Sequence, residues 1–445
     1  MGIMTLFGLI WKLVRGGRVS IMAKKITLKD LSNEPGCLAE YDPNAMQIES
    51  VKKLINSFIK PIKEAEYTKL IDSLNRVLAV DLVSPINVPN YDNSAMDGFG
   101  FNISSLKNTK KLMVKDTVLA GKPIKSSVKD GEAIQIMTGG KIPIGVDTVI
   151  PIELVKYKNN EITFIEMPKI GANIRKSGED IKKKDIVLSK GTLLYPAELG
   201  LIASLGFSKI KVFKKLKVGI FSTGDEIVKT GTKIKSGQVY DSNHFTIHSM
   251  LCRLNVECLD LRVIPDNKII IKNTLLKLAK KADVIITSGG VSVGAADYMK
   301  EVLKEIGQVL FWKLSIKPGK PMAYGKINKA DFFGLPGNPV SAMVTFYQIV
   351  QGSLKMRMGL KIDDSIPLLK VECVESIFKR PGRTEFQRGI LFQSNKTWKV
   401  KTTGQQGSAI LSSMSKANCF IVLSADRGAI KAGEIVDIQL MASFI

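Results

Sequence analysis

The sequence has few residues of the types that define several protein classes. Only two histidines, His244 and His248, occur in 445 residues, and none of the five cysteines forms a CxxC pair. The i,i+4 spacing of the histidines could place both on one helical face. No Cys or Glu partner is patterned beside them, so the sequence does not predict a zinc site. An odd number of cysteines argues against a disulfide framework and indicates thiols in a reducing compartment. We therefore expect a cytoplasmic location.

Long hydrophobic runs are also missing. Thr5–Val14 is the most apolar stretch near the start, but ten residues are too few to cross a bilayer. No basic residue precedes it and no small-residue cleavage site follows, so we expect neither a signal peptide nor a membrane span. Residues 22–25, Met-Ala-Lys-Lys, are typical of the N-terminus of a protein. We therefore hypothesise that Met22 is the initiator, or that residues 1–21 are a loose appendage, within an irregular leader of residues 1–45.

Arginine is scarce in a chain that is otherwise strongly basic. Of the 65 basic residues only 11 are arginine, and with 41 acidic residues the net charge is +24. Proteins that grip nucleic acid commonly use arginine, whose planar fork binds phosphates and bases with two hydrogen bonds. Here the lysines are spread out, and the densest run, Lys182–Lys184, has no interleaved aromatics. The charge therefore indicates a solvated lysine surface, with attraction of a small anionic substrate as a weaker alternative, rather than nucleic-acid binding.

What the chain does contain is an ordinary globular composition, 45% hydrophobic and 24% charged. From Met46 the apolar residues follow helical spacing, and a second amphipathic stretch runs from about Glu64 to Val80. Residues 46–83 with 185–215 are predicted to form a helical, linking domain. Between them, short β-rich runs separated by turns predict an inserted, mainly β domain over residues 84–184.

The second half of the chain changes pattern twice. Residues 216–364 alternate between strands and helices, which predicts a doubly wound α/β domain with a parallel sheet and helices on both faces. Residues 365–445 return to short strands with glycines between them, which predicts a small barrel or sandwich. The fold class expected from the sequence is thus α/β and multidomain, with two β appendages.

Two glycine-containing loops follow predicted strands of the α/β domain. The first is Ser222–Glu226, and the second runs from Ser288 to Asp297. Ligands of open α/β sheets bind beyond the carboxyl ends of the strands, and glycines let backbone N–H groups approach an anion. Neither loop is a P-loop or a dinucleotide fingerprint. A carboxylate beside a phosphate-sized cradle would suit Mg²⁺, which binds one or two carboxylates together with substrate phosphates.

Further segments offer charged or small polar groups. The Pro-Gly break after Lys317 predicts a strand end that presents Lys317 and Lys320 to a cleft, and lysines near acidic loops suit neutralisation of a polyanion. Residues 334–339 (GLPGNP) form a strand-to-helix turn stiffened by two prolines. Three small-residue loops of the β insertion carry Asp97, Thr138 and Asp180. The residues alone therefore indicate an anion-handling, Mg²⁺-dependent α/β enzyme.

An ordered set of motifs extends this interpretation. From about Met46 to Ile445 the chain resembles the molybdopterin molybdenumtransferase family, to which the gephyrin E domain is related. The motifs that carry the resemblance are DNSAMDG (92–98), MTGG (137–140), GEDI (178–181), FSTGDE (221–226), SGGVSVGAADY (288–298), KPGKP (317–321), GLPGNPVSA (334–342), FQRG (386–389) and TGQQGS (403–408).

The resemblance implies an activity and an assembly. Members insert molybdate into adenylylated molybdopterin, with Mg²⁺, and release AMP as the molybdenum cofactor forms. It implies four domains per subunit, an α/β domain like the molybdopterin-binding module, a C-terminal β-barrel domain and an elongated homodimer. The expected partners are small anionic substrates, and also molybdopterin adenylyltransferase and proteins of molybdoenzyme maturation.

The resemblance also implies roles for individual residues. Glu226 and Asp297 match the acidic positions around Mg²⁺. Asp97 and Thr138 match β-insertion positions, which the resemblance implies complete the site across the dimer. The expected catalytic set is Asp97, Thr138, Glu226, Asp297, Lys313 and Lys317. The expected substrate-binding set is Asp180, Asp266, Ser288, Gly289, Gly290, Ser292, Lys320, Pro336, Pro339, Ser341, Arg388 and Ser408. Within these sets, the positions associated with molybdate are Ser292, Lys317, Lys320, Arg388 and Ser408.

Two other functions are compatible with the same α/β module. A molybdopterin adenylyltransferase shares the Ser-Gly-Gly turn but does not need the β portions or the QGS and FQRG motifs. A scaffold protein could use the same fold without chemistry, but the complete set of acidic residues and lysines argues against this. The sequence does not discriminate molybdate from tungstate as the oxyanion.

Overall fold

A computed structural model describes residues 45–107, 109–289, 298–361 and 367–441. The helices and strands of residues 45–215 are, in chain order, α1 (Ile48–Phe58), β1 (Ala65–Lys69), β2 (Leu82–Val83), β3 (Asn93–Ser94), β4 (Gly98–Phe101), β5 (Lys111–Val118), β6 (Glu132–Ile136), β7 (Thr148–Pro151), β8 (Val155–Lys158), β9 (Glu161–Phe164), β10 (Ile174–Arg175), β11 (Ile186–Leu188), α2 (Pro196–Ser204) and β12 (Lys209–Phe213).

The elements of residues 216–441 follow in the same order: β13 (Lys217–Thr223), β14 (Ile227–Val228), β15 (Val239–Tyr240), α3 (Ser242–Arg253), β16 (Glu257–Ile264), α4 (Lys268–Ala279), β17 (Val284–Ser288), α5 (Tyr298–Ile306), β18 (Gln308–Lys313), β19 (Ile316–Lys317), β20 (Pro321–Ile327), β21 (Ala330–Leu335), α6 (Pro339–Thr345), α7 (Gln351–Arg357), β22 (Leu369–Cys373), β23 (Thr384–Ser394), β24 (Thr397–Thr402), α8 (Leu411–Lys416), β25 (Cys419–Leu423) and β26 (Ile435–Leu440). A π-helical turn, Phe346–Val350, joins α6 to α7.

The β insertion forms one six-stranded sheet in the order β7-β4-β6-β5-β9-β8. A hairpin turn at Asn159-Asn160 joins β8 and β9. Both asparagines have positive φ, +52° and +59°, as the tight primed turns of hairpins require. Phe99 and Phe101 of β4 are fully buried in this sheet's own core. The short runs between turns therefore predicted these strands well.

The linking region differs from its prediction. The stretch from about Glu64 to Val80 is not a second amphipathic helix. It contains β1 and a single 3-10 turn, Leu70–Asp72. β1 pairs antiparallel with β12, which is more than 130 residues away, so long-range pairing decides the conformation here rather than local periodicity. Helix α1 packs into the core of the α/β domain, and α2 packs with the linking strands in a smaller core of their own.

The α/β sheet has the order β16-β13-β17-β21-β20-β18. The first four strands are parallel, whereas β20 pairs antiparallel with both β21 and β18 and so runs against the other five strands. The prediction of a parallel sheet is therefore wrong for β20. The cause is a two-residue turn between β20 and β21, in which Asn328 takes a φ of +53° and returns the chain as a hairpin.

Helices cover both faces of this sheet, as the doubly wound interpretation predicted. One face packs against α1, α3 and α6 through residues such as Val51, Leu251 and Val340, which are at most 4% exposed. The other face packs against α4 and α5, for example through Leu275 and Val302. The carboxyl ends of β13, β17 and β21 consequently lie at one edge, between the two helical layers.

The C-terminal strands close into a barrel in the order β23-β24-β22-β26-β25, with β25 pairing back onto β23. Of the two forms considered, barrel and sandwich, the barrel is correct. Strand β19, which follows the α/β strand β18, adds to the barrel sheet by pairing in parallel with β23. This pairing joins the barrel to the α/β domain beside the strand ends. Within the described residues, no helix is long and apolar enough to span a membrane.

Candidate active site

Asp266 lies beside the end of β13, within electrostatic range of the carboxylates of Asp225 and Glu226. Thr223 Oγ1 donates a hydrogen bond to Asp266 Oδ1 at 3.3 Å. A Cβ atom on Gly224 would lie 2.8 Å from the Glu226 carboxylate, so this carboxylate folds back over the backbone of the loop. Burial raises the pKa of Asp266, opposed by the Thr223 hydrogen bond, and the negative charges of Asp225 and Glu226 raise it further. The negative charges at this strand end therefore repel one another, as is common at functional sites.

The end of β17 is held by a residue that the sequence did not single out. Asn243, in the first turn of α3, donates from Nδ2 to Ser288 Oγ at 2.6 Å and to the Gly337 carbonyl at 2.7 Å. It thus links the Ser-Gly-Gly turn to the turn after β21. Gly289 has a φ of +87°, and a Cβ there would lie 2.9 Å from the Thr223 carbonyl. Only glycine fits such a close backbone approach without rearrangement.

The turn after β21 reaches the C-terminal barrel. Pro336 is buried in this turn and Pro339 begins α6, with Ser341 buried in its first turns. Asn338 Nδ2 donates to Ser408 Oγ at 3.1 Å, and the Val340 amide donates to the Ser408 carbonyl, also at 3.1 Å. Ser408 is therefore fixed against the α/β domain by both its side chain and its backbone.

Arg388 is the largest fully buried side chain of the described residues, at 1% exposure. Its guanidinium donates to Ser413 Oγ at 2.9 Å and to the Gly407 carbonyl at 3.0 Å. No carboxylate of the described residues forms an ion pair with it. Desolvation lowers the pKa of Arg388 to about 10, so it stays cationic at neutral pH. A buried cation without a counter-charge is costly, which makes this position a candidate anion site.

The lysine loop lies between β18 and β20. Lys313, at the end of β18, is 7% exposed, and its ammonium group has no hydrogen-bond or ion-pair partner among the described residues. Lys317 is exposed, as the Pro-Gly break predicted, and it pairs with Glu385 of the barrel at 3.3 Å. Lys320 is half-buried. The loop packs on α6, because a Cβ on Gly319 would lie 2.7 Å from Thr345 Oγ1.

The candidate residues of the β insertion contact each other rather than this cleft. Asp97 Oδ1 accepts hydrogen bonds from the Thr138 hydroxyl and amide, both at 2.7 Å, and these bonds lower the pKa of Asp97. Asp180 is exposed, and its amide donates to the Val88 carbonyl within the same region. Among the described residues, no hydrogen bond joins Asp97 or Thr138 to the α/β domain.

Contacts connect several of the remaining predicted residues. Contacts lead from Asp266 through the ends of β13 and β17 and the turn after β21 to Ser408 and Arg388. Gly290, Ser292 and Asp297 lie outside the described residues. Sequence reasoning missed Asn243 and Glu385. Asn243 offered no signal, since its partners are 45 and 94 residues away, whereas Glu385 directly precedes the FQRG motif.

The architecture defines a class of protein: a doubly wound α/β domain flanked by a linking region with a mainly β insertion and by a C-terminal β-barrel. Three family models match consecutive parts of the chain. They are the MoeA N-terminal region (domains I and II) over residues 46–206, a probable molybdopterin binding domain over 219–356, and the MoeA C-terminal region (domain IV) over 370–441. The chain belongs to the MoeA family.

Individual relatives agree with this assignment. The chain is 46% identical to a molybdopterin molybdenumtransferase of Haemophilus influenzae over 378 residues, which is 84% of this chain and 94% of that protein. It is 32% identical to gephyrin of Dictyostelium discoideum over 87% of this chain and 61% of that protein. The crystal structure of the molybdopterin biosynthesis moeA protein from Pyrococcus horikoshii superimposes with a TM-score of 0.77 at 30% identity, covering 89% of this chain and 100% of that one.

Proposed function

We propose that the protein is a molybdopterin molybdenumtransferase, which inserts molybdate into adenylylated molybdopterin and releases AMP. The observation that carries the proposal is the buried, uncompensated guanidinium of Arg388. It lies at the point where the barrel contacts the turn after β21 of the molybdopterin-binding domain. Molybdate is a dianion, and a fixed cation that lacks an internal counter-charge is a suitable partner for it.

The cationic and hydroxyl groups around Arg388 would bind and orient the oxyanion. Ser408 supplies a hydroxyl donor, and Lys317 and Lys320 supply ammonium groups from the facing loop. Lys313 is buried without a partner among the described residues, so its charge is available to the phosphates of the substrate. Charge develops on the pyrophosphate as AMP leaves, and cations already in position stabilise that charge without reorganising.

Mg²⁺ fits the acidic end of β13, and we propose Glu226 and Asp297 as its protein ligands. The carboxylates of Asp225, Glu226 and Asp266 repel one another there, and a cation would relieve that repulsion. Among the described residues no three metal-binding side chains converge, but Mg²⁺ needs only one or two carboxylates beside phosphates and water. Bound there, it would neutralise charge on the pyrophosphate.

We further propose a homodimer in which Asp97 and Thr138 complete the site of the partner subunit. This is supported by their geometry, because they are locked together on the β insertion and make no contact with the cleft of their own chain among the described residues. Asp180 of the same β insertion would also contribute to the site of the partner subunit. When the dimer forms, the exposed Asp97–Thr138 pair would face the substrate cleft of the partner subunit.

Each predicted domain would have its own role in the reaction. Residues 216–364 would bind molybdopterin and the phosphates, residues 365–445 the oxyanion, and residues 84–184 the partner's site, while residues 46–83 with 185–215 connect them. Ser288, Gly289, Gly290, Ser292, Pro336, Pro339 and Ser341 would line the substrate cleft. The four cysteines among the described residues are unpaired, which suits a cytoplasmic enzyme acting after molybdopterin adenylyltransferase and before molybdoenzyme maturation proteins.

The test is one incubation of purified protein with adenylylated molybdopterin, Mg²⁺ and molybdate, followed by measurement of AMP and active cofactor. We expect AMP release that depends on molybdate. Lys317→Ala and Asp297→Asn should reduce it sharply while the thermal midpoint stays within a few degrees of wild type. ATP-dependent adenylylation of molybdopterin would instead identify an adenylyltransferase, and wild-type rates in both variants would remove the proposed site.

A further inference from the structure

The ammonium group of Lys317 is held at a fixed point by a carboxylate of the barrel. Lys317 Nζ lies 3.3 Å from Glu385 Oε1 and 3.4 Å from Oε2, so both carboxylate oxygens face it. The contact follows from the sheet, because Lys317 and Glu385 are direct neighbours in the parallel pairing of β19 and β23. The register therefore aligns a loop of the α/β domain with a barrel residue.

The two partners differ greatly in burial. The side chain of Glu385 is 5% exposed, whereas that of Lys317 is 47% exposed. Gln387 Nε2 donates to Glu385 Oε2 at 2.9 Å and fixes the carboxylate from within the barrel. The carboxylate is thus the rigid partner, and the lysine is the mobile one that it restrains.

The ion pair is not needed to hold the two strands together. The Thr384 amide already donates to the Ser315 carbonyl at 2.9 Å, and the β19–β23 pairing adds backbone contacts. A pair with one exposed partner contributes little to stability, about 0–1 kcal/mol. What the pair does determine is where the tip of a flexible four-carbon side chain lies. An ammonium group has three protons, so two can face Glu385 while one faces the cleft.

We propose that Glu385 is a positioning residue that fixes the ammonium group of Lys317 for the oxyanion. The inference rests on the proposed function and names a residue that this function did not include. Before the anion arrives, Glu385 already restricts the rotamers of Lys317. The anion therefore does not have to order that side chain on binding, a cost that otherwise lowers affinity.

The test compares Glu385→Gln, which keeps the shape but removes the charge, with wild type and with Lys317→Ala. We expect Glu385→Gln to raise the KM for molybdate roughly 3- to 10-fold, the factor that corresponds to ordering one long side chain. The KM for adenylylated molybdopterin should not change. In the Lys317→Ala background, Glu385→Gln should add no further defect. Glu372→Gln, which removes the Glu372–Lys399 pair of the same barrel, is the control and should leave both KM values unchanged.

Other outcomes separate this inference from its alternatives. A lower kcat with an unchanged KM for molybdate, or effects of Glu385→Gln and Lys317→Ala that simply multiply, would overturn it in favour of a structural role. If Glu385→Gln does not fold, Glu385→Asp keeps the charge but shortens the reach, and it should raise the same KM. Molybdate affinity measured by calorimetry decides the inference even if wild type releases no AMP: equal affinities for wild type and Glu385→Gln would refute it, whereas absent AMP release refutes only the proposed function.

Discussion

At the scale of single residues, the candidate site gathers groups that are costly for the fold. Arg388 is a cation buried without a carboxylate, and Asp266 is a carboxylate crowded by others. Charges placed this way are common where a protein binds ligands, because the ligand completes the charge balance. Arg388 was predicted from the FQRG motif and Asp266 from the family resemblance. Their environments could not be predicted, since burial and neighbouring charge depend on contacts between distant segments.

Replacing Asp266 by asparagine should stabilise the protein while it weakens activity. Because the folded-state pKa of Asp266 is raised, its ionised form costs stability above that pKa, and the cost disappears below the unfolded value of about 3.9. Asp266→Asn keeps the acceptor for Thr223 and removes the charge. We expect its thermal midpoint to exceed that of wild type at pH 7.

The same comparison at pH 3.5 supplies the control. There the wild-type carboxyl is largely protonated, so the two midpoints should converge. A variant that is less stable than wild type at pH 7 would contradict the like-charge account of this acidic strand end.

Asn243 should be important for stability although it carries no charge. Asn243→Ala removes the donor for Ser288 Oγ and for the Gly337 carbonyl, and it leaves acceptors without their partner. The expected loss is about 1–3 kcal/mol in the free energy of unfolding, measured by urea titration. Thr246→Ala in the same helix removes only a bond to the Asn243 carbonyl and should cost clearly less. Equal losses in the two variants would show that Asn243 does not link the two turns.

At the scale of elements, the sequence predicted most strands because their short apolar runs end at clear turns. The strands of the β insertion and of the barrel lie within the two regions, 84–184 and 365–445, where short strands were predicted. It failed where distant pairing overrides local pattern. Glu64–Val80 has helix-like spacing but pairs as β1 with β12, and β20, which begins with Pro321, gave no strand signal of its own.

Two glycines should respond to alanine in opposite ways. A Cβ on Gly98 would lie 1.9 Å from the Ile150 carbonyl of the neighbouring strand β7, so Gly98→Ala should force β4 and β7 apart and cost several kcal/mol. Gly200 lies inside α2 with open space around it, so Gly200→Ala should stabilise by about 1 kcal/mol. Chemical denaturation of both variants tests this. Destabilisation by both would mean that α2 packs more closely than the structure indicates.

At the scale of the whole molecule, the charge of +24 affects stability more than partner choice. Most of its lysines are spread over the surface, and like charges destabilise a compact state through mutual repulsion. Raising NaCl from 10 to 150 mM shortens the screening length from about 30 to about 8 Å. We therefore expect the thermal midpoint to rise with NaCl in the absence of substrate. A falling midpoint would indicate that surface ion pairs outweigh the repulsion.

Strand β23 carries Glu385, which holds Lys317, and three positions later it carries Arg388. Three residues of extended chain span about 10 Å, and this distance is set by covalent geometry rather than by packing. Because side chains alternate along a strand, Glu385 and Arg388 point to opposite faces of β23, and one strand supports the contact to Lys317 on one face and a buried guanidinium on the other. A deletion or insertion between 385 and 388 would change that spacing and turn the following side chains to the other face.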